Sequence, residues 1–275
     1  MTKLNQKYIN KIVKQALNED LKPFGDVTAK LIKNEKKNAK IIAKQNGIVA
    51  GLDFCEKAFK FLDKKTIFSK KVKDGAKIYK GKVVATIYAN TKAIISAERT
   101  ALNFLSHASG IATLTKEFVD KINKKSKICC TRKTTPNLRI LEKYAVKKGG
   151  GFNHRYNLCD EIMIKDNHII AAKNLYELVK KAIKTKKIVT VEVDNISQVK
   201  KILGLKFKRI LFDNMSIKTL NKCLKLCKNS YETEYSGNVT LRNIKQISNT
   251  RVDRISIGSI THSAKTFDFS LELFS

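Results

Sequence analysis

The second half of the sequence alternates between short apolar segments and amphipathic segments at a regular interval. The apolar segments have the length and residue types of strands, and they lie at 128–131, 161–165, 188–193, 209–213, 231–235 and 254–258. The amphipathic segments have helical spacing, and they lie at 137–147, 174–185, 196–203, 216–227 and 240–246. Strands that alternate with helices pair in parallel, so this half predicts a six-stranded parallel sheet, either open or closed into a barrel.

Polar residues and glycine at the strand ends favour the barrel. At or just beyond the C-terminal ends of the predicted strands lie Arg132, Lys133, Lys165, Glu192, Asp213, Ser236 and Gly258. In an α/β barrel the loops that follow the strands converge on one face, which holds the active site. A doubly wound sheet would gather such residues at one switch point only. We therefore expect a β/α barrel with its site on that face.

The first half predicts a smaller α+β domain. Residues 3–19 have helical spacing, and the segment 18–26 is expected to end this first helix. Short strand-like segments follow around Ile41, 48–49, 67–72, Ile78 and 83–88, with one helix near 54–62. A helix at 93–107 then leads, through Gly110, into a second helix that ends near Asn123. We expect mostly antiparallel strands in a domain at 1–107 and a barrel domain at 108–275.

Composition argues against several classes of protein. The net charge is +32 over 275 residues, but lysine supplies nearly all of the excess and is spread along the chain, as on a solvated surface. No stripe of arginine and aromatic residues indicates a specific nucleic-acid partner. The N-terminus lacks an apolar signal segment and no apolar run approaches the roughly 20 residues of a membrane span, so we expect a cytoplasmic protein. The six cysteines include no C-x-x-C pair, which favours reduced, buried thiols.

Arginine is scarce, and its placement indicates a site for a small polyanion. Four of the eight arginines lie between Arg99 and Arg155. A guanidinium binds carboxylate or phosphate through two parallel hydrogen bonds, which the lysine ammonium cannot do. The expected cationic set, which suits a compact ligand with two carboxylates, is Arg99, Arg132, His154, Arg155 and Lys165. Each of these side chains taken alone is also consistent with an ordinary solvated residue, and Lys165 is also consistent with a Schiff-base lysine.

Carboxylates and turn residues suggest the rest of the site. Glu192 and Asp213 end consecutive strands and are suited to Mg²⁺ or sugar hydroxyls, although two ordinary strand-end carboxylates would look the same. The runs 234–238 and 256–262 follow the last two strands, where α/β barrels commonly bind phosphate through main-chain N–H groups. His107, His168 and His262 are equally consistent with structural hydrogen bonds.

Several ordered motifs resemble those of the quinolinate phosphoribosyltransferases. They include Glu98-Arg99-Thr100, 131–136 (TRKTTP), 149–155 (GGGFNHR), 164–168 (IKDNH), 212–215 (FDNM) and 261–263 (THS). The resemblance covers nearly the whole chain. It implies an α/β fold with an N-terminal open-faced α/β sandwich followed by an incomplete, TIM-like β/α barrel. It also implies the transfer of phosphoribosyl from phosphoribosyl pyrophosphate to quinolinate with decarboxylation, which gives nicotinate mononucleotide, pyrophosphate and CO₂ in NAD synthesis.

The resemblance assigns roles to individual residues. Arg132, His154, Arg155 and Lys165 would hold the quinolinate carboxylates, with Arg99 supplied by the neighbouring subunit of a homodimer. The resemblance leaves open whether such dimers assemble into a hexamer. Lys133 would contact the pyrophosphate or ribose, while Glu192 and Asp213 would serve the ribose hydroxyls and Mg²⁺, mainly through substrate and water. Catalysis is expected to depend on Lys133, Lys165, Glu192 and Asp213. The remaining substrate-binding positions are Thr131, Ser236, Gly237, Asn238, Ile257, Gly258, Ser259 and His262.

Four residues depart from the family pattern. Asn137 and Asn238 stand where glycine is common, Asp194 where glutamate is usual, and Tyr235 where a small residue is frequent. Asparagine tolerates the left-handed backbone better than most residues, so the turns should survive. Two alternatives stay open: a paralogous phosphoribosyltransferase-like protein of molybdenum transport loci, and a lysine-rich nucleic-acid-binding protein.

Overall fold

The computed structural model describes residues 4–274. Its helices are α1 (Gln6–Leu21), α2 (Leu52–Leu62), α3 (Thr91–Lys121), α4 (Arg139–Lys148), α5 (Asp166–Ala172), α6 (Leu175–Lys184), α7 (Ile196–Ile202), α8 (Ile217–Cys227), α9 (Ile244–Asn249) and α10 (Ser259–His262). Its strands are β1 (Lys36–Ala43), β2 (Gly47–Ile48), β3 (Ile67–Lys70), β4 (Lys77–Ile78), β5 (Val83–Asn90), β6 (Lys127–Cys129), β7 (Ile162–Ile164), β8 (Val189–Val193), β9 (Arg209–Asp213), β10 (Glu232–Ser236), β11 (Arg254–Ser256) and β12 (Phe269–Phe274).

The chain folds into two compact units, and each unit is built from more than one segment of the sequence. The first comprises the chain up to residue 116, residues 135–150 and the chain from 261 onward, and the second comprises 117–134 and 151–260. The position of the expected division, 107/108, falls inside α3, and the first unit continues to residue 116. Because β12 pairs antiparallel with β1, the C-terminal segment joins the first unit. Neither β12 nor the short helices α5 and α10 were expected from the sequence.

The first unit is an open-faced α/β sandwich. Its main sheet is antiparallel with the order β12-β1-β5-β3. Alternate residues of the central strands, such as Ile41 and Ile87, are fully buried, while Ile67 and Tyr88 remain exposed. The amphipathic helices α1 and α2 bury apolar side chains in this unit, including Ile9 and Phe59. This confirms the predicted class of the N-terminal part.

Of two expected helix boundaries, one is wrong and one is confirmed. Helix α3 is continuous from 91 to 121, so Gly110 does not break it. A Cβ at Gly110 would lie 2.2 Å from the carbonyl oxygen of Lys265, so the glycine allows another segment of the same unit to approach the helix. Helix α1 ends at Leu21, inside the segment 18–26 that was expected to end it. It ends where Pro23 disfavours the helical conformation at Lys22.

The second unit is an incomplete β/α barrel. Its six strands are parallel in the order β6-β11-β10-β9-β8-β7. Consecutive strands are therefore neighbours around the sheet, and β11 returns to β6, as in a barrel that is open between β6 and β7. Residues 151–155 lie along the β6 side of this opening, where Phe152 forms an isolated parallel bridge with Cys129. All six predicted strands of this half are confirmed, each within a few residues.

The structure also bears on the cysteines and on membrane spans. All six cysteines are free, and five are buried, whereas Cys159 is exposed. Within residues 4–274, none of the helices combines the length and apolar character needed to cross a bilayer.

Replacing Gly110 with alanine is expected to lower the free energy of unfolding. In an open helix interior this change would stabilise by about 0.5–1 kcal/mol. Here the added Cβ would press on the main chain of Lys265, and overpacking typically costs about 1–3 kcal/mol. Urea unfolding measures the sign, with Asn103→Ala, an exposed position on α3, as the control that should be neutral or stabilising. A stabilised Gly110→Ala variant would contradict this interpretation of the glycine.

Candidate active site

Two guanidinium groups lie close together at the carboxyl edge of the barrel. Arg132 follows β6, and Arg155 lies in the segment at the barrel opening. Arg155 is 9% exposed, and its Nη1 donates to the carbonyl oxygen of Glu161 at 3.1 Å. Burial first, and the charge of Arg132 second, lower the pKa of Arg155. Arg132 Nε is buried without a hydrogen-bond partner among the described residues. A buried, unsatisfied donor beside a second cation favours an anionic ligand.

Lys165 and Glu192 form an ion pair at the same edge. Lys165 follows β7 and donates through Nζ to Glu192 Oε2 on the neighbouring strand β8. A Schiff-base lysine needs an amine free to attack a carbonyl, whereas this Nζ is held by a carboxylate. Burial raises the pKa of Glu192, and the nearby charges of Asp213 and Asp166 act in the same direction, while Lys165 opposes them. The arrangement pairs Lys165 with Glu192 and places Asp213 close enough for its charge to act on Glu192; Glu192 and Asp213 are called the carboxylate pair below.

The turn after β10 is held by asparagines. Gly237 has φ +101°, and a Cβ there would lie 2.2 Å from Asn214 Oδ1. The main-chain N–H of Asn214 donates to the carbonyl oxygen of Ser236 at 2.9 Å, and Asn238 Nδ2 donates to Asn214 Oδ1 at 3.0 Å. Glycine at 237 is therefore required by both its left-handed backbone and the proximity of Asn214. The turn has the backbone freedom that a phosphate cradle needs.

The other candidates in the second unit surround this edge. The Thr131 hydroxyl accepts the main-chain N–H of Lys133 at 3.0 Å, and the Lys133 side chain is exposed. Ile257 is buried, and its main-chain N–H donates to the carbonyl oxygen of Cys129 at 2.9 Å. Gly258 and Ser259 are half-buried. His168 caps the start of α5, because its Nδ1 accepts the main-chain N–H of Lys165 at 3.0 Å.

Three candidate residues belong to the first unit. Arg99 is exposed on α3, and within residues 4–274 its side chain makes no hydrogen bond or ion pair. His262 is exposed, with its Nδ1 2.6 Å from the Ser263 hydroxyl. His107 Nε2 lies 2.9 Å from the buried carboxylate of Glu142, which is a structural contact.

A layer of charged side chains fills the interior of the barrel, and sequence reasoning missed it. It consists of Glu161, Arg209, Glu232, Glu234 and Arg254, and we call it the ionic layer. In the run 232–236, Glu232, Glu234 and Ser236 occupy alternate positions and so share one face of the strand. This spacing was the sequence signal for charged side chains on one face of β10. Barrel interiors are usually filled by branched apolar residues, so these charges need partners to be tolerated.

The four departures from the family pattern fit the fold. Asn137 and Asn238 have φ of +64° and +48°, which confirms that asparagine supports these left-handed turns. The Tyr235 ring is buried, with its hydroxyl donating to the Met215 carbonyl oxygen at 3.1 Å. Asp194 is exposed, and its carboxylate accepts a hydrogen bond from Asn195 Nδ2 at 2.6 Å.

The carboxylate pair is suited to Mg²⁺ only as part of a larger coordination set. No group of three or more histidine, cysteine, aspartate or glutamate side chains within the described part of the chain could hold a metal ion alone. Magnesium is commonly bound through one or two carboxylates together with substrate phosphates and water. Glu192 and Asp213 therefore fit a Mg²⁺ that arrives with a phosphorylated ligand.

The fold and site together define a β/α-barrel protein that binds anionic small molecules. Residues 26–109 match the model of the quinolinate phosphoribosyl transferase N-terminal domain, and residues 111–272 match that of the C-terminal domain. The chain belongs to the quinolinate phosphoribosyltransferase family.

Curated relatives and solved structures agree over nearly the full length. A probable nicotinate-nucleotide pyrophosphorylase [carboxylating] of Bacillus subtilis is 38% identical over 98% of this chain and 95% of its own. A mitochondrial quinolinate phosphoribosyltransferase [decarboxylating] of Nicotiana tabacum is 38% identical over 96% of this chain and 82% of its own. The nicotinate-nucleotide pyrophosphorylase structure from Francisella tularensis has a TM-score of 0.95 at 35% identity, covering 99% of this chain and 98% of that one. These matches confirm the predicted fold class.

Replacing Gly237 with alanine is expected to weaken the binding of a phosphate monoester by roughly tenfold or more, because strain of about 1–3 kcal/mol would displace the turn. Calorimetric titration with ribose 5-phosphate measures the effect. Gly204→Ala is the matched control, since Gly204 has φ +85° but no atom within 4 Å of the added Cβ. Similar affinities for the Gly237→Ala variant and the wild type would remove this turn from the phosphate site.

Proposed function

We propose that this chain transfers phosphoribosyl from phosphoribosyl pyrophosphate to quinolinate with decarboxylation, in the synthesis of NAD. The pyridine nitrogen bonds to C1 of the ribose as pyrophosphate leaves, and the 2-carboxylate then departs as CO₂ to give nicotinate mononucleotide. The main structural support is the pair Arg132 and Arg155: Arg132 Nε is a buried donor without a partner among the described residues, and Arg155 adds a second guanidinium close enough for the two charges to interact, which suits a dicarboxylate. Family membership supports the same reaction.

Each side of the site has a distinct task. Arg132, Arg155 and Lys165 hold the quinolinate carboxylates and align the ring nitrogen. Glu192 and Asp213 face the ribose hydroxyls and would hold Mg²⁺ together with the substrate, while Lys133 contacts the pyrophosphate. The turn at Ser236, Gly237 and Asn238, with Ile257, Gly258 and Ser259 after β11, cradles the 5′-phosphate. When bound, Mg²⁺ would neutralise charge on the departing pyrophosphate.

The chemistry does not require a nucleophilic side chain. A ribosyl centre with oxocarbenium character needs its leaving group stabilised by cations and its attacking nitrogen held in line. Loss of CO₂ leaves electron density beside the new pyridinium, whose positive charge accepts it. The residues of this site therefore supply position and electrostatic field.

The direct test is to incubate the protein with quinolinate, phosphoribosyl pyrophosphate and Mg²⁺. The expected products are nicotinate mononucleotide and CO₂, detected by chromatography and by release of label from carboxyl-labelled quinolinate. Parallel reactions contain nicotinate in place of quinolinate. Turnover of nicotinate but not quinolinate would contradict the substrate assignment.

Arg132→Lys and Arg155→Lys should each weaken quinolinate binding by about 1.5–3 kcal/mol, roughly 10–150-fold, because charge is kept while the guanidinium fork is lost. Glu192→Gln and Asp213→Asn should instead impair the binding of phosphoribosyl pyrophosphate with Mg²⁺. Separate titrations of the two substrates measure both effects. Equal losses for both substrates in all four variants would refute this division of tasks.

Arg99 is proposed to act across the boundary of a homodimer, which could assemble further into a hexamer, in the cytoplasm. The support is the family resemblance and the exposed, unpaired side chain of Arg99 among residues 4–274. Arg99→Ala and Lys133→Ala homodimers should each be nearly inactive. Random mixing makes about half of the dimers mixed, each with one intact site of two, so refolding the variants together should restore about a quarter of wild-type activity. No recovery, with mixed dimers confirmed by mass spectrometry, would mean that Arg99 does not act across the boundary.

A further inference from the structure

Glu234 lies at the centre of the ionic layer and is completely buried. Its Oε1 accepts the hydroxyl of Ser256, and its Oε2 lies 3.3 Å from Arg254 Nε and 3.4 Å from Arg209 Nε. Burial alone would raise the pKa of Glu234, but the neighbouring donors and cations, His154 first and then Arg254 and Ser256, outweigh it and lower the pKa. Glu234 is therefore a fixed anion beneath the catalytic face.

His154 connects this anion to Arg155. Its ring is buried, and Nε2 lies 3.5 Å from Glu234 Oε2 and 3.5 Å from Arg209 Nη1. On the other side of the ring, Nδ1 accepts the main-chain N–H of Arg155 at 2.8 Å. A nitrogen that accepts a hydrogen bond carries no proton, so this contact assigns the proton of a neutral ring to Nε2, the nitrogen nearest Glu234.

Both ring nitrogens are thus used within the protein. Arg209 offers only N–H donors, whereas the Glu234 carboxylate 3.5 Å from Nε2 can accept a proton from it. Protonation of Nδ1 would leave the buried N–H of Arg155 without this acceptor, and the resulting imidazolium would lie against the Arg209 guanidinium. The arrangement favours one tautomer and one orientation of the ring.

We propose that His154 is a positioning residue rather than a ligand of quinolinate: Glu234 fixes its tautomer, and its Nδ1 fixes the main chain of Arg155, which directs the Arg155 guanidinium beside Arg132. The proposal rests on the proposed function only in taking the ligand of Arg155 to be quinolinate. It gives Glu234, which the expected site did not include, a defined part in substrate binding.

The first test needs no substrate, and a variant serves only to assign the signals. The chain has four histidines, so labelling them with ¹⁵N gives a simple spectrum, in which the His154→Asn variant identifies the His154 signals. At neutral pH the expected pattern is an unprotonated Nδ1 and a protonated Nε2 for His154. A proton on Nδ1 would overturn the proposal, whether or not the wild type binds quinolinate.

The second test separates the two ring nitrogens. The side-chain oxygen of asparagine can take the place of Nδ1, whereas the longer side chain of glutamine reaches the place of Nε2. His154→Asn should bind quinolinate within a few-fold of the wild type, and His154→Gln should bind about tenfold or more weakly. The opposite order would show that Nε2 contacts the substrate and would overturn the proposal. Lack of quinolinate binding by the wild type would refute the proposed function. The tautomer measurement would then decide by itself whether Glu234 and the main chain of Arg155 orient the His154 ring.

The third test compares two glutamates of the ionic layer. Glu232 pairs with Arg209 at 2.8 Å and with Arg254 at 3.6 Å, so Glu232→Gln perturbs the same arginines without removing the partner of His154. Glu234→Gln should raise the Kd for quinolinate about tenfold, with little change for phosphoribosyl pyrophosphate. Glu232→Gln should leave both affinities unchanged. Thermal unfolding of both variants reports the structural effect, and equal losses of quinolinate affinity at matched stability would overturn the proposal.

Discussion

The charge of Glu234 is the constraint on which the barrel interior depends. A carboxylate with no exposure to solvent is tolerated only where donors replace its hydration, and here Arg209, Arg254 and Ser256 do so. Removing one partner from such a buried pair typically costs about 3–5 kcal/mol, whereas an apolar filling would often be equally stable. Stability alone therefore does not explain the ionic layer. The contact between Glu234 and His154 offers a functional explanation, because it would fix the orientation of the His154 ring.

The ionic layer also affects the charges above it. Glu161, Glu232 and Glu234 face Arg209 and Arg254, so the acidic groups exceed the arginines by one. The charge of Glu161 partly offsets the effect of burial and of Arg132 on the pKa of Arg155. Glu161 of the ionic layer thus favours the charged form of Arg155. The Nε of Arg132, which has no partner among the described residues, is available to a ligand.

Sequence patterns predicted what depends on local order, and they failed where distant segments meet. The apolar residues of 209–213 predicted a strand there, and the parallel arrangement predicted that Asp213 lies at the edge of the sheet that holds the site. Strand β12 was missed because its pairing with β1 has no local signature. Gly110 was assigned to a helix break on propensity, whereas the approach of Lys265 explains it. The alternation around Glu234 was visible, but nothing in one strand indicates which arginines on other strands will neutralise it.

The same geometry gives a physical reason for selectivity between ligands with one and two carboxylates. Arg155 is nearly buried, and Arg132 contributes a donor that water does not reach. A monocarboxylate would satisfy only part of this cationic set, and each buried donor left unpaired costs about 1–3 kcal/mol. A dicarboxylate neutralises the repulsion between the two guanidinium groups and satisfies their donors together. If quinolinate binds the arginine pair as proposed, decarboxylation removes one of its two carboxylates, and this pair would then bind the pyridine ring of the product less strongly than that of the substrate.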